Sequence, residues 1–197
     1  MMPIIVHYDR HHSQAQGIRP VDGVRQKMIE RTVVLLAKKG LQGASFAQIL
    51  KESGAPRGSL YHHFPGGKDE LVLAAVALAG DQAMGVLEQL AGKPAVAIAT
   101  AFIGVCMQVL TRSDFGAGCA VAAVTVAAET PALRQQAGDV FRRWRLRLAE
   151  LLEAGGVPAG RGTAMAASLI SACEGGVILA RGERSLEPFE MVTGEQL

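Results

Sequence analysis

The feature that most constrains this chain is a pair of short helical segments joined by a single glycine turn near its N-terminus. Ser45-Phe46-Ala47-Gln48 has capping-box spacing: the serine oxygen can accept from the backbone of Gln48, and the Gln48 side chain can reach back. This opens a helix expected to run to about Ser53. Gly54 follows, where a tight turn favours positive φ. Pro56 then pre-sets the first turn of a second helix, expected through about His63, and Pro65-Gly66-Gly67 breaks it. Two helices of about two turns each across a glycine-containing turn have the dimensions of a helix-turn-helix.

The remaining segments also read as helices. Residues 22–39 carry Met28, Ile29, Val33 and Leu36 on one face, and Gly40 marks the stop. Beyond Lys68 a long helix is expected to about Leu90, with Asp69 and Glu70 favouring its positive end. An uncharged helix over 94–111, a short apolar one before Pro131, a charged amphipathic one over 131–154, an apolar one over 161–181 and a short last one from Glu187 follow. The chain is 49% hydrophobic but 5% aromatic, rich in the helix formers Ala and Leu. The fold class is therefore all-α. Residues 1–20 lack periodicity and are expected to form a flexible arm, which could touch a minor groove as arms of other folds do. His7, His11 and His12 could in principle take a metal there, but a disordered tail is the expectation.

Charge divides the chain unevenly. Residues 1–68 hold ten Lys/Arg against four acids and all five histidines, whereas residues 69–197 hold ten against fourteen. A basic front on a mildly acidic body is suited to meeting a polyanion, although a solvated basic surface would look the same by charge alone. Cys106, Cys119 and Cys173 lie in apolar surroundings without paired spacing. Buried packing in a reducing, cytoplasmic setting is expected, and a redox role for any one of them stays open. Residues 94–111 alone touch the length of a membrane span, yet Ala, Thr100 and Gln108 dilute them, and they read as a buried core helix. No signal peptide is apparent. Nor is there a GxSxG elbow, HExxH, CxxC or P-loop, so an enzyme is a remote alternative, and no cofactor or metal is implied.

The run Gly54-Ala55-Pro56-Arg57-Gly58-Ser59-Leu60-Tyr61-His62-His63-Phe64, followed by Lys68-Asp69-Glu70-Leu71, resembles the signature of the TetR family of repressors. In that family a Tyr-x-His-Phe run ends the second helix and a Lys-x-x-Leu opens the next. The resemblance extends upstream through Ser45 and Ile49. It implies a three-helix helix-turn-helix head (residues 21–68) and a helical ligand-binding and dimerisation bundle (residues 69–197). The chemistry agrees: Gly58 and Ser59 give a recognition helix a small end for the major groove. Arg57 can pair with guanine or a phosphate. Tyr61 and His62 would face the duplex, His63 could go either way, and Ser45, Gln48 and Lys68 complete the candidate DNA-contacting set. Leu60 and Phe64 should point inward. Two departures stand out: Pro56 occupies the usual place of a small polar cap, and the loop before Lys68 is one residue longer than the commonest form. That loop, with Gly118-Cys119-Ala120-Val121 and Ala172-Cys173-Glu174-Gly175-Gly176, resembles the LmrA/YxaF-type branch.

The resemblance further implies a homodimer on a double-stranded, palindromic operator, with half-sites about one helical turn apart or somewhat more, released by a small-molecule inducer. An activator or a constitutive DNA-binding protein of the same fold is the alternative. Gly175-Gly176 inside an otherwise good helix costs on the order of 1 kcal/mol per residue relative to Ala. Close approach of a second helix would compensate, making 161–181 the candidate dimer interface, with the final helix beside it; packing within one chain would serve as well. Phe102, Cys106, Met107, Val121, Phe141, Trp144 and Met165 are the candidate lining of a cavity for a small apolar or aromatic ligand.

Overall fold

The computed structural model describes residues 20–196, and their regular structure is entirely helical: α1 (Pro20–Gly43), α2 (Phe46–Ser53), α3 (Arg57–His63), α4 (Gly67–Glu88), α5 (Ala95–Arg112), α6 (Ala120–Ala127), α7 (Pro131–Ala154), α8 (Gly162–Glu183) and α9 (Glu187–Gly194). The arm and its three histidines lie outside the described residues. The helix expected over 22–39 begins two residues earlier, and Gly40 turns left-handed (φ 69°) where the stop was expected. A short turn then closes with Ala44 N–H donating to the Gly40 carbonyl.

The head is held by side chains spaced three and four apart. Met28, Leu36, Ile49, Leu60, Phe64 and Leu71 are all buried in one core, and α1 packs against both α2 and α4. Val33 belongs to the same expected face but is only partly buried, and it faces the cavity described below. Ser45 caps α2 by accepting from Gln48 N–H at 3.3 Å. The reciprocal half of the capping box is absent: the Gln48 side chain donates instead to Glu52 Oε1 at 2.8 Å, a charged acceptor one turn along. Gly54 adopts φ 67° and its N–H closes α2 on the Leu50 carbonyl.

In the body, α7 runs along α4 at close range. A Cβ on Gly80 would come within 2.9 Å of Val140 Cγ2, and the absent side chain lets Trp144 Nε1 donate to the Gly80 carbonyl at 3.0 Å. At the far end Arg147 bridges Glu88 (2.7 Å) and Glu150 (2.9 Å). The Arg147 hydrogen bond holds the Glu88 carboxyl below its ordinary value. By length and composition α4, α5 and α8 are all apolar enough to cross a membrane, two more than the 94–111 stretch singled out from sequence. Each instead lays part of its apolar surface on neighbouring helices: Leu71, Val72, Ala75 and Val76 of α4, Ile98, Ile103 and Leu110 of α5, and Ala166, Leu169 and Cys173 of α8 are buried.

Candidate nucleic-acid interface and ligand cavity

Seven residues of α3 divide cleanly by angle around the helix. Arg57, Gly58, Tyr61 and His62 are exposed on one side, Leu60 is buried on the other, and Ser59 and His63 flank it half-buried. Leu60 and the following Phe64 point inward as expected, pinning α3 to the head. Tyr61 is 62% exposed, and its ring meets Phe46 of α2 edge-on at 6.1 Å, so the two short helices fix where the phenol stands. Pro56 caps α3 without a side-chain hydrogen bond. Ser45 is exposed at the start of α2, while Gln48 is half-buried and engaged with Glu52. Lys68 is half-buried, its Nζ donating to the Leu41 carbonyl at 2.8 Å. That bond ties the start of α4 to the end of α1 and leaves further ammonium hydrogens for an anion.

The second site is a cavity of about 580 Å3 walled by α1, α4, α5, α7, α8 and the segment entering α6. Among the sequence-expected residues, Phe102, Cys106, Val121 and Trp144 line it. Met107, Phe141 and Met165 do not. Phe141 meets Trp144 edge-on at 5.3 Å, Met107 packs with the core, and Met165 lines a smaller groove with Pro94, Val96 and Val157. Helical periodicity places a residue on an inner face but cannot say whether that face meets a void or a neighbour.

The wall also contains residues that the sequence reading missed. Ile170, Glu174 and Val177 of α8 all line the cavity, at spacings of four and three, so one face of α8 presents a carboxyl between two aliphatic side chains. Burial raises the Glu174 carboxyl above its ordinary value, and the hydrogen bond from the Cys119 thiol opposes the rise. A lone acid at a core-facing position of an otherwise apolar helix was the available signal. Cys119 and Cys173 line the same cavity. The Cys106 thiol is pushed well up by its hydrogen bond with Cys173 and by burial, and the Cys119 thiol by burial first and then by Glu174. The Cys119 sulfur also caps α6, accepting from Ala122 N–H at 3.4 Å. One residue before it, Gly118 N–H donates to the Ala37 carbonyl of α1 at 2.9 Å. The cavity wall is thereby hydrogen-bonded to the helix that carries the head.

Comparison with known proteins assigns both halves. Residues 28–75 match the family model for bacterial regulatory proteins of the tetR family. Residues 94–195 match that of the transcriptional regulator LmrA/YxaF-like C-terminal domain. The chain belongs to the TetR family. It is a DNA-binding transcriptional regulator and not an enzyme. The HTH-type transcriptional regulator Rv0196 of Mycobacterium tuberculosis is 34% identical over 179 residues, covering 87% of this chain and 91% of its own. LmrA of Bacillus subtilis, also an HTH-type transcriptional regulator, is 27% identical over 169 residues, covering 84% and 90%. A TetR transcriptional regulator from Chloroflexus aurantiacus superposes with a TM-score of 0.76 at 25% identity, covering 91% of this chain and 94% of its own. The regulatory protein TetR from Rhodobacter sphaeroides shares the fold with a TM-score of 0.79 at 23% identity, over 88% and 96%.

Proposed function

We propose that this TetR-family regulator is a ligand-released repressor that binds a palindromic operator as a homodimer. Residues 21–68 are read as the DNA-binding unit and residues 69–197 as the ligand-binding and dimerisation unit. Arg57, Gly58, Tyr61 and His62 would enter the major groove, with Ser59 at their edge and Ser45, Gln48 and Lys68 serving the phosphates. The observation that carries the regulatory half is the junction of cavity and head: Gly118, in the cavity wall, is bonded to Ala37 of α1. A ligand that binds better when this wall is displaced would favour a head spacing that no longer fits both half-sites. This is a population shift driven by differential affinity. The outward side of α8 supports the dimer, since Ile178 and Leu179, with Met191 of α9, stand exposed.

Fluorescence anisotropy with the DNA upstream of its own gene, against scrambled DNA at fixed salt, tests the reading. Selective binding by the wild type, lost in Tyr61→Ala and Lys68→Ala, is the expected result. Equal, salt-sensitive binding to both DNAs would favour a constitutive role without sequence selection, and no binding at low salt would end the proposal.

A further inference from the structure

The cavity is too polar at one point to suit a purely apolar guest. Its wall is mostly aliphatic and aromatic, yet Glu174 of α8 stands in it between Ile170 and Val177. The groups acting on the Glu174 carboxyl are burial and the Cys119 thiol. A thiol is a weak donor, and a carboxylate taken out of water needs a charged or multiple hydrogen-bonding partner to recover its solvation. Asp81, Glu88, Asp114, Asp139 and Glu150, by contrast, each have a guanidinium partner at 2.7–3.0 Å. Glu174 is the acidic residue that α8 contributes to the wall, and Asp81, which also lines it, is already paired with Arg143 at 3.0 Å.

We propose that the inducer of this regulator is a cationic amine with an apolar body, its ammonium seated against Glu174 and its body against Phe102, Val121 and Trp144. This rests on the reading of the cavity as the inducer site and adds the ligand class. A volume of about 580 Å3 lies within the roughly 300–1,000 Å3 of small-molecule sites. An ammonium donates three charge-assisted hydrogen bonds, which replace the water that Glu174 loses. A neutral alcohol of the same shape offers one uncharged hydroxyl donor in place of a charge-assisted ammonium, and an anionic guest adds a second negative charge beside the carboxyl.

The chain has a single tryptophan, and Trp144 lines the cavity, so binding can be read directly from its fluorescence. Three ligands with one body and different head groups serve as probes: 4-phenylbutylamine, 4-phenylbutan-1-ol and 4-phenylbutanoate, titrated at pH 7 with excitation at the red edge of the indole band. The amine is expected to bind at least about tenfold more tightly than the alcohol, the carboxylate most weakly, and the amine alone to release operator DNA in the same concentration range. Glu174→Gln keeps the side-chain volume, and in it the amine should fall to the affinity of the alcohol while the alcohol is unaffected. Equal binding of all three with equal operator release, or tightest binding of the alcohol, would overturn the cation and leave the inducer cavity standing. No fluorescence change and no operator release by any of the three would overturn both. The head-group series on the wild type decides the matter even if the variant folds poorly.

Discussion

Two adjacent glycines in α8 should behave as opposites. A Cβ added to Gly176 would lie 2.9 Å from Phe189 Cδ2 and 3.0 Å from Val192 Cγ1, both of α9, whereas one added to Gly175 meets nothing within 4 Å. Gly176 is thus explained by packing within the chain. Gly175 is open on the side where Ile178 is 68% exposed, the face proposed above for the dimer. Gly176→Ala gains about 1 kcal/mol of helix propensity but overpacks the α8–α9 contact at a cost of about 1–3 kcal/mol. It should lower the melting temperature by a few degrees or leave it unchanged, with no change in oligomeric state. Gly175→Arg recovers a similar propensity with no contact at its Cβ within 4 Å, so the isolated subunit should fold at least as well. In a two-fold interface the same arginine appears twice. At about 3 kcal/mol for each unpaired buried charge, dimer association should weaken on the order of ten-thousandfold. Light scattering after size exclusion across a concentration series reads the mass, and circular dichroism on the same fractions reads the fold. A folded Gly175→Arg monomer with lost operator affinity is expected. A Gly175→Arg dimer with unchanged dissociation would place the interface elsewhere and refute the reasoning, and a marked rise in melting temperature for Gly176→Ala would refute its packing half.

Ser45→Ala removes the cap on α2 and should cost about 0.5–2 kcal/mol, read by thermal denaturation, with operator affinity falling further than that loss explains if Ser45 also meets a phosphate. Because burial raises the folded-state Glu174 carboxyl above its ordinary value, its neutral form is favoured by folding. Wild-type stability relative to Glu174→Gln should therefore be highest below about pH 4.3, the unfolded value, and fall as pH rises through the raised folded value. Denaturant unfolding of both proteins from pH 4 to 8 checks the sign, and a constant difference would count against it. Cys106 and Cys119, their thiols pushed up by the Cys173 contact and by burial respectively, should react with a disulfide reagent at pH 8 at least about tenfold more slowly than after unfolding. Equal rates would show that these thiols are neither buried nor protonated as described.

The head was legible in the sequence because its determinants are local. Ser45, Gly54, Pro56 and the glycines after Phe64 each act on their own turn of backbone, and Leu60 of the seven-residue α3 lies four residues before Phe64, which caps that helix. The signature Tyr61 to Phe64 with Lys68 then named the family that residues 28–75 and 94–195 match. Even here two details escaped the pattern. Gln48 turned to Glu52, one turn along the same helix, because a charged acceptor outcompetes a reciprocal cap. Lys68 took the Leu41 carbonyl, a tertiary contact between the start of α4 and the end of α1.

The cavity was not legible in the same way. Its wall gathers Val34, Trp144 and Glu174 from helices far apart in the chain, and whether an inward residue meets a void depends on how long helices cross, which no local pattern records. That is why Met107, Phe141 and Met165 were indistinguishable from Phe102 and Val121 in the sequence, and why Glu174 was noticed only as part of a family run. The two glycines of α8 make the same point at the smallest scale. Local propensity says only that both are costly in a helix, and the packing of α9 over one of them alone separates their roles. By itself the sequence determined the helices, the helix-turn-helix and the family, since short-range hydrogen bonding and periodicity suffice for these. Only the tertiary structure decided where space remains between the helices and which charge is left facing it, because both are set by contacts between segments that sequence order keeps apart.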